Sequence, residues 1–99
     1  MLENKFQSNL IKELYLILPG CLVFKMDPNY IQGVPDLLIL YKGKWAALEC
    51  KKSGDASHRP NQDYYICEAQ KDGAFARFIF PENKEEILDD MARSFKTER

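Results

Sequence analysis

The sequence predicts an α/β domain in which a mixed sheet of four strands is flanked by helices, in the order α-β-β-β-α-β-α. Three observations lead to this fold class. Two apolar runs are separated only by a short polar turn, three other stretches carry apolar residues at helical spacing, and proline and glycine punctuate the chain between these segments. A chain of 99 residues is enough for one domain with one hydrophobic core.

The central element of this fold is a predicted β-hairpin. Residues 37–41 form a continuous apolar run, residues 45–50 are nearly one, and Lys42-Gly43 lies between them. Gly43 tolerates the positive φ that a two-residue hairpin turn requires. Continuous apolar runs are typical of strands that are covered on both faces, so we expect cover on both sides of this hairpin.

The remaining elements follow from hydrophobic periodicity and from the residues that end each pattern. Phe6, Leu10 and Leu14 fall on one stripe of a first helix, which Pro19-Gly20 ends. Pro60 suits the first turn of a second helix, and Gly73 follows its end. The predicted helices span residues 3–18, 60–72 and 83–95, the other strands span 22–26 and 74–80, and 96–99 is a frayed tail.

Two carboxylates meet at the end of the predicted hairpin. When the chain turns at Lys42-Gly43, Asp36 lies opposite Glu49, and antiparallel partners are about 5 Å apart. Carboxylates this close repel each other unless a cation lies between them, and hard oxygen ligands suit Mg²⁺ or Mn²⁺. Because strand side chains alternate, Lys51 shares the face of Glu49. The pattern therefore predicts a divalent-metal site beside a lysine.

These residues resemble the motif of the PD-(D/E)XK nuclease superfamily. Pro35-Asp36 matches its first half, and Glu49-Cys50-Lys51 matches its second half after a gap of twelve residues. The run 33–37, Gly-Val-Pro-Asp-Leu, and the run 59–62, Arg-Pro-Asn-Gln, are similar to the VRR-NUC branch, a compact relative of Holliday-junction resolvases. The resemblance extends from residue 3 to about residue 80 and implies one restriction-endonuclease-like, VRR-NUC-like nuclease domain over residues 1–99.

The resemblance implies a metal-dependent DNA endonuclease that is selective for branched or junction DNA and leaves a 5′-phosphate and a 3′-hydroxyl. Lys51 would orient water or stabilise developing negative charge, and Gln62 would hold the attacking water or a phosphate. The implied cofactor is Mg²⁺ or Mn²⁺. Its implied ligands are the side chains of Glu3, Asp36 and Glu49 and the main-chain carbonyl of Cys50.

Each site residue also has an ordinary structural explanation. Glu3 is an acid at a helix start, which the helix dipole favours, and Asp36 is an acid at the exposed start of a strand. Lys51 is a salt-bridge partner of Glu49, and Gln62 is a polar residue of a first helical turn. His58 is a candidate general base, although a single histidine in a loop is more often only solvated.

The overall net charge of −1 argues against a general nucleic-acid-binding protein, but the charge is uneven. Residues 42–59 contain five Lys or Arg and two acids, whereas residues 82–90 contain five acids and one lysine. One face is therefore suited to phosphates. The candidate DNA-binding residues are Lys42, Lys44, Lys52 and Arg59. Alternatives are a catalytically inactive nucleic-acid-binding or assembly module of the same fold, and an RNA-processing nuclease.

Partners and compartment are predicted from simpler features. A symmetric cut in two strands requires two active sites, so we expect a homodimer, for which Tyr30, Ile31 or Trp45 are candidate interface residues. Three widely spaced cysteines, no CxxC pair, no signal peptide and no apolar run of about 20 residues favour a reduced, cytoplasmic protein without a membrane partner.

Overall fold

The computed structural model describes residues 2–96, with side chains from residue 4 onward. The predicted order of elements is confirmed, and each boundary lies within one residue of its predicted position. Lys96 belongs to the last helix, so the predicted frayed tail is wrong at that residue, and residues 97–99 lie outside the described part. The elements are α1 (Leu2–Ile17), β1 (Leu22–Lys25), β2 (Leu37–Tyr41), β3 (Lys44–Cys50), α2 (Pro60–Lys71), β4 (Phe75–Ile79) and α3 (Lys84–Lys96).

The four strands form one mixed sheet in the order β1-β2-β3-β4. The first three strands are antiparallel to their neighbours, and β4 runs parallel to β3. Lys42 and Gly43 form the β2–β3 turn with φ values of 51° and 81°, as the twist of a two-residue hairpin requires. The ladder pairs Leu37 with Leu48, so the next pair beyond it is Asp36 and Glu49.

The sheet separates two layers of helices. Strand side chains such as Ile39 and Leu48 pack with the buried stripes of α1 and α3, which include Leu14 and Met91. On the opposite face, Ala47 of β3 and Ala76 of β4 pack against Ile66 of α2. The alternation of apolar side chains along β3 is what lets one strand serve both layers. Glu49 has the same parity as Ala47 and therefore lies on the α2 side.

The expectation of cover on both faces is wrong for the outer half of the sheet. Helix α2 packs over β3 and β4, because a single helix is only about 10 Å wide and covers about two strands spaced about 4.8 Å apart. On that face the side chains of Leu22, Phe24, Leu40 and Trp45 are 55%, 48%, 40% and 38% exposed. The apolar run of β2 is therefore fully covered only on the side of α1 and α3.

Two further expectations concern the cysteines and the membrane. Cys21 and Cys50 are buried, Cys67 is exposed, and none of the three forms a disulfide. Burial raises the pKa of the Cys21 thiol, because desolvation disfavours its thiolate. Among residues 2–96, no helix combines the length and hydrophobicity that crossing a membrane would require.

Candidate metal and active site

The two hairpin carboxylates lie at the same end of the sheet. Asp36 directly precedes β2, and its Oδ2 accepts a hydrogen bond of 2.9 Å from the main-chain N–H of Cys50. This bond fixes the Asp36 carboxylate against the last residue of β3. Since directly opposed antiparallel residues share a face, Asp36 and Glu49 both belong to the α2 side of the sheet. The register therefore agrees with the predicted opposition of the two acids, and their role as metal ligands stays a prediction.

Glu49 is a deeply buried acid. Its side chain is only 4% exposed, and its Oε2 accepts a hydrogen bond of 2.9 Å from Gln62 Nε2. A buried carboxylate is costly without hydrogen-bond donors or a cation beside it. Its place at the end of a core strand is unexpected for a purely structural residue and suits a metal ligand.

Lys51 and Gln62 complete this cluster. Lys51 Nζ donates to Gln62 Oε1 at 2.7 Å and to the main-chain carbonyl of Ser57 at 3.2 Å. Gln62 therefore connects the lysine to Glu49 through the two ends of one amide. With the Lys51 side chain nearly buried, its charge is held one amide away from Glu49.

The start of α2 fixes the Gln62 amide. The main-chain N–H of Arg59, the residue before the helix, donates to Gln62 Oε1 at 3.1 Å. Pro60 occupies the first turn, where a missing N–H costs nothing. Because Oε1 accepts from two donors, Nε2 points towards Glu49. In the sequence, the signal for this arrangement is a glutamine three positions after Arg59, the residue that precedes the helix. Arg59 itself is not a residue type that usually marks a helix start.

Gly33 fastens the Asp36 loop to α2. Its φ is +90°, and a Cβ atom there would lie 2.3 Å from the Cβ of Asn61. Asn61 Nδ2 also donates to the main-chain carbonyl of Gln32 at 3.3 Å. The close approach of the main chain that a glycine at this position permits is therefore present. It joins the loop that carries Asp36 to the helix that carries Gln62.

His58 flanks the cluster in a way that sequence reasoning missed. Its ring stacks on Phe78 with centroids 3.9 Å apart, and its Nδ1 lies 3.1 Å from Asp63 Oδ1. Phe78 is the partner of Glu49 in the β3–β4 ladder. His58 therefore stacks on the residue that lies beside the buried acid. No spacing in the sequence indicates this packing, because the three residues come from a loop, a helix and a strand.

The candidate DNA-binding residues fall into two groups. Lys52 and Arg59 are exposed beside the cluster, and Lys52 lines a cavity of about 390 Å³ with Lys51, Ala56 and Ser57. Lys42 and Lys44 lie at the turn end of the hairpin, where Lys44 Nζ donates to the carbonyl of Phe95 at 3.1 Å. Glu49 lies five positions along β3 from Lys44, or about 17 Å away.

Solved structures share this architecture. A structure described as a VRR_NUC domain superimposes with a TM-score of 0.76 at 23% identity, covering 91% of this chain and 96% of that chain. The fold is that of a VRR_NUC domain. A second structure, described as a VRR_NUC domain protein, has a TM-score of 0.71 at 16% identity, with 94% and 89% of the two chains covered.

A more distant structural neighbour is Hjc, a Holliday junction resolvase of Archaeoglobus fulgidus. Its TM-score is 0.56 at 18% identity, with 78% of this chain and 67% of that chain covered. No family model and no curated protein matches the sequence. The comparisons therefore confirm the restriction-endonuclease-like fold that the motif resemblance implies.

The residues at this end of the sheet fit a hard divalent cation. Asp36 and Glu49 supply carboxylate oxygens, and the main-chain carbonyl of Cys50 adjoins them in sequence. Within the described part of the chain no three His, Cys, Asp or Glu side chains form a metal cluster. Mg²⁺ commonly binds through one or two carboxylates plus water, so this donor set matches it. The Glu3 side chain lies outside the described residues.

Proposed function

We propose that the protein is a metal-dependent nuclease that hydrolyses phosphodiester bonds of DNA. The observation that carries this proposal is the cluster at the end of the hairpin, where Gln62 joins the buried Glu49 to Lys51 and the main-chain N–H of Cys50 holds a second acid, Asp36. Support also comes from the fold, since one structure that shares it is described as a Holliday junction resolvase. On this basis we propose branched or junction DNA as the preferred substrate.

The chemistry follows from the substrate. A phosphodiester resists attack because its oxygens are negatively charged. A divalent metal held by Asp36, Glu49, the Cys50 carbonyl and Glu3 would neutralise that charge and lower the pKa of bound water. The protein would supply the positions of these ligands.

Lys51 has the charge and the position to stabilise the transition state. An ammonium group has three N–H donors, and the contacts with Ser57 and Gln62 use two of them. The third would donate to a phosphate oxygen or to the attacking water, where negative charge develops during hydrolysis. Gln62 would keep the lysine in place and, together with Lys52 and Arg59, would bind the substrate backbone.

Two further parts of the proposal concern assembly and compartment. One site cuts one strand, so paired cuts in a junction require two copies of the chain, and we propose a homodimer. Three cysteines that form no disulfide are typical of a reducing compartment, so we place the protein in the cytoplasm.

The test is a cleavage assay with Mg²⁺ or Mn²⁺ on a four-way junction, a flap, a nicked duplex, an intact duplex and an RNA duplex. We expect wild-type protein to cut the junction, and Asp36→Asn to be slower by about 100-fold or more. Asp89→Asn, an exposed acid of α3, is the matched control and should cleave normally. If every substrate survives in both metals, or if Asp36→Asn cleaves like the control, the proposal is wrong. Cleavage of RNA alone would assign a different substrate.

A further inference from the structure

His58 and Asp63 form a pair at the edge of the candidate site that the proposed chemistry does not use. His58 Nδ1 lies 3.1 Å from Asp63 Oδ1, and the imidazole ring stacks on Phe78 with 16° between the two ring planes. One contact lies at the edge of the imidazole and the other on its face, so together they fix both its position and its orientation. The His58 side chain is still 34% exposed, which leaves it accessible to a ligand.

The imidazole lies close to the buried acid. Phe78 and Glu49 are partners in the parallel ladder, so their main chains run about 4.8 Å apart and their side chains stand on the same face of the sheet. The ring centroids of His58 and Phe78 are 3.9 Å apart, which places the imidazole within about 9 Å of Glu49. The main-chain carbonyl of Ser57, the residue before His58, accepts a hydrogen bond from Lys51. His58 is therefore a neighbour of the cluster without being part of it.

The surface beside His58 is suited to phosphates. Lys51, Lys52 and Ser57 line a cavity of about 390 Å³, and the exposed Arg59 follows His58 in the chain. One strand of DNA carries a phosphate for every 3.4 Å or so of helix axis, about a third of the distance from Glu49 to the imidazole. A strand with its scissile phosphate at Glu49 therefore has a flanking phosphate within reach of His58.

Asp63 determines which nitrogen of the imidazole is available to that phosphate. A carboxylate is a hydrogen-bond acceptor, so Nδ1, the nitrogen that faces Asp63, carries a proton. In the neutral ring Nε2 then has only a lone pair, and it becomes a donor when the ring takes up a second proton. Because phosphate oxygens are acceptors, only the imidazolium form of His58 can bind them through Nε2.

The charged groups around the imidazole have both signs. They come from α2, from the end of β3 and from the loop that follows it: Asp63, Glu49, Lys51, Lys52 and Arg59. Strand β4 contributes the uncharged Phe78, because Arg77, its only charged residue, alternates to the other face of the sheet. A bound phosphate would add negative charge to this mixed environment and so favour the imidazolium.

We propose that His58, held by Asp63 and Phe78, binds as an imidazolium to a phosphate that flanks the scissile one. This inference rests on the proposed function and deepens it, because it assigns a further contact to the DNA backbone and makes binding depend on pH. Histidine side chains change their charge between about pH 5 and pH 8. Since the protonated form makes the contact, DNA affinity falls as the pH rises. A pair that only fastened the start of α2 would leave DNA binding unchanged at every pH.

The test measures binding of the full chain to a fluorescent four-way DNA junction by anisotropy, in EDTA, over a range of salt concentrations at pH 6 and pH 8. At pH 6 we expect the slope of log K against log salt to be steeper by about 0.9 for wild type than for His58→Leu, and at pH 8 we expect equal slopes. At pH 6 and constant salt, His58→Leu should bind about 10-fold more weakly. His58 is the only histidine of the chain, so the difference reports this side chain.

Leucine retains an apolar contact with Phe78, and circular dichroism shows whether His58→Leu folds. If it does not, His58→Gln replaces it, because glutamine keeps an N–H donor but has no titratable charge. Lys12→Met, which removes an exposed cation from α1, is the matched control and should bind like wild type at both pH values.

Equal salt slopes for wild type and the His58 variant at pH 6, or a difference that persists unchanged at pH 8, would overturn the inference. Cleavage of DNA by a protein with such slopes would leave the proposed function standing without it. A slope that depends on both pH and His58, in a protein that cleaves no substrate, would support the inference and remove the proposed function. Absence of DNA binding at both pH values would overturn both.

Discussion

One amide, that of Gln62, makes three of the hydrogen bonds that organise the site. It donates to Glu49 and accepts from Lys51 and from the main-chain N–H of Arg59. The amide offers a donor to the acid on one atom and acceptor lone pairs to the lysine and the main chain on the other. A glutamate at position 62 would add another carboxylate beside Glu49. An alanine there would remove all three hydrogen bonds.

We therefore expect Gln62→Ala to lower kcat about 10- to 100-fold and the free energy of unfolding by about 1–2 kcal/mol. The matched control is Gln70→Ala on the same helix, where the amide donates to the carbonyl of Ala76 at 2.7 Å. That change should cost about 1 kcal/mol and leave kcat unchanged. Equal kcat values in the two variants, measured beside urea unfolding curves, would remove Gln62 from the site.

Lys51→Met tests the role of the lysine charge. Because the lysine is not among the metal ligands, we expect metal affinity to be retained and kcat to fall about 100-fold or more. Titration calorimetry with Mn²⁺ and single-turnover cleavage separate the two effects. Lys12→Met, an exposed lysine of α1, should match wild type in both. Normal turnover by Lys51→Met would show that the hydrogen bonds of Lys51 stabilise the fold and take no part in hydrolysis.

At the scale of elements, the site depends on how the Asp36 loop meets the start of α2. Gly33 and Gly20 have nearly the same φ, +90° and +89°, but nothing surrounds a Cβ at Gly20 within 4 Å. A Cβ at Gly33 would instead meet the Cβ and the main-chain carbon of Asn61, at 2.3 and 2.8 Å. Backbone atoms cannot move aside without displacing the helix.

Gly20→Ala should therefore lower the free energy of unfolding by about 1–2 kcal/mol, which is the cost of a positive φ alone. We expect Gly33→Ala to lose about 1–3 kcal/mol more in urea unfolding and to bind Mn²⁺ more weakly, because the Asp36 loop moves away from α2. If both alanine variants lose the same stability and bind metal equally well, the contact between Gly33 and Asn61 does not position the site.

How far the sequence predicts the elements depends on the kind of information each one needs. The hairpin register is local, since the turn at Lys42-Gly43 sets the pairing, and the opposition of Asp36 and Glu49 follows from it. The contact between Gly33 and Asn61 and the stack of His58 on Phe78 join distant segments. No periodicity encodes such contacts, so sequence reasoning did not predict them.

At the scale of the whole molecule, the apolar content of a strand did not reveal what covers it. The run in β2 is continuous, yet one helix is too narrow to cover all four strands, and Leu40 stays partly exposed. Apolar composition reports that a face will be buried, but not whether the same chain or another copy buries it. The proposed dimer is one answer to that difference.

Thiol reactivity tests the packing of the whole core. Cys67 is exposed, whereas Cys21 and Cys50 are buried, and burial raises the pKa of the Cys21 thiol and so lowers its thiolate fraction at any pH. We expect a maleimide to label Cys67 first at neutral pH and the other two only after unfolding in urea, as mass spectrometry would show. Labelling of Cys21 in the native protein as fast as Cys67 would contradict the described core.

Titration calorimetry with Mn²⁺ shows whether the two hairpin carboxylates bind one ion. We expect one site per chain in the wild-type protein, retained in Asp89→Asn and lost in both Asp36→Asn and Glu49→Gln, because both carboxylates are ligands of the same ion. Wild-type affinity in either hairpin variant would contradict a shared metal site between Asp36 and Glu49.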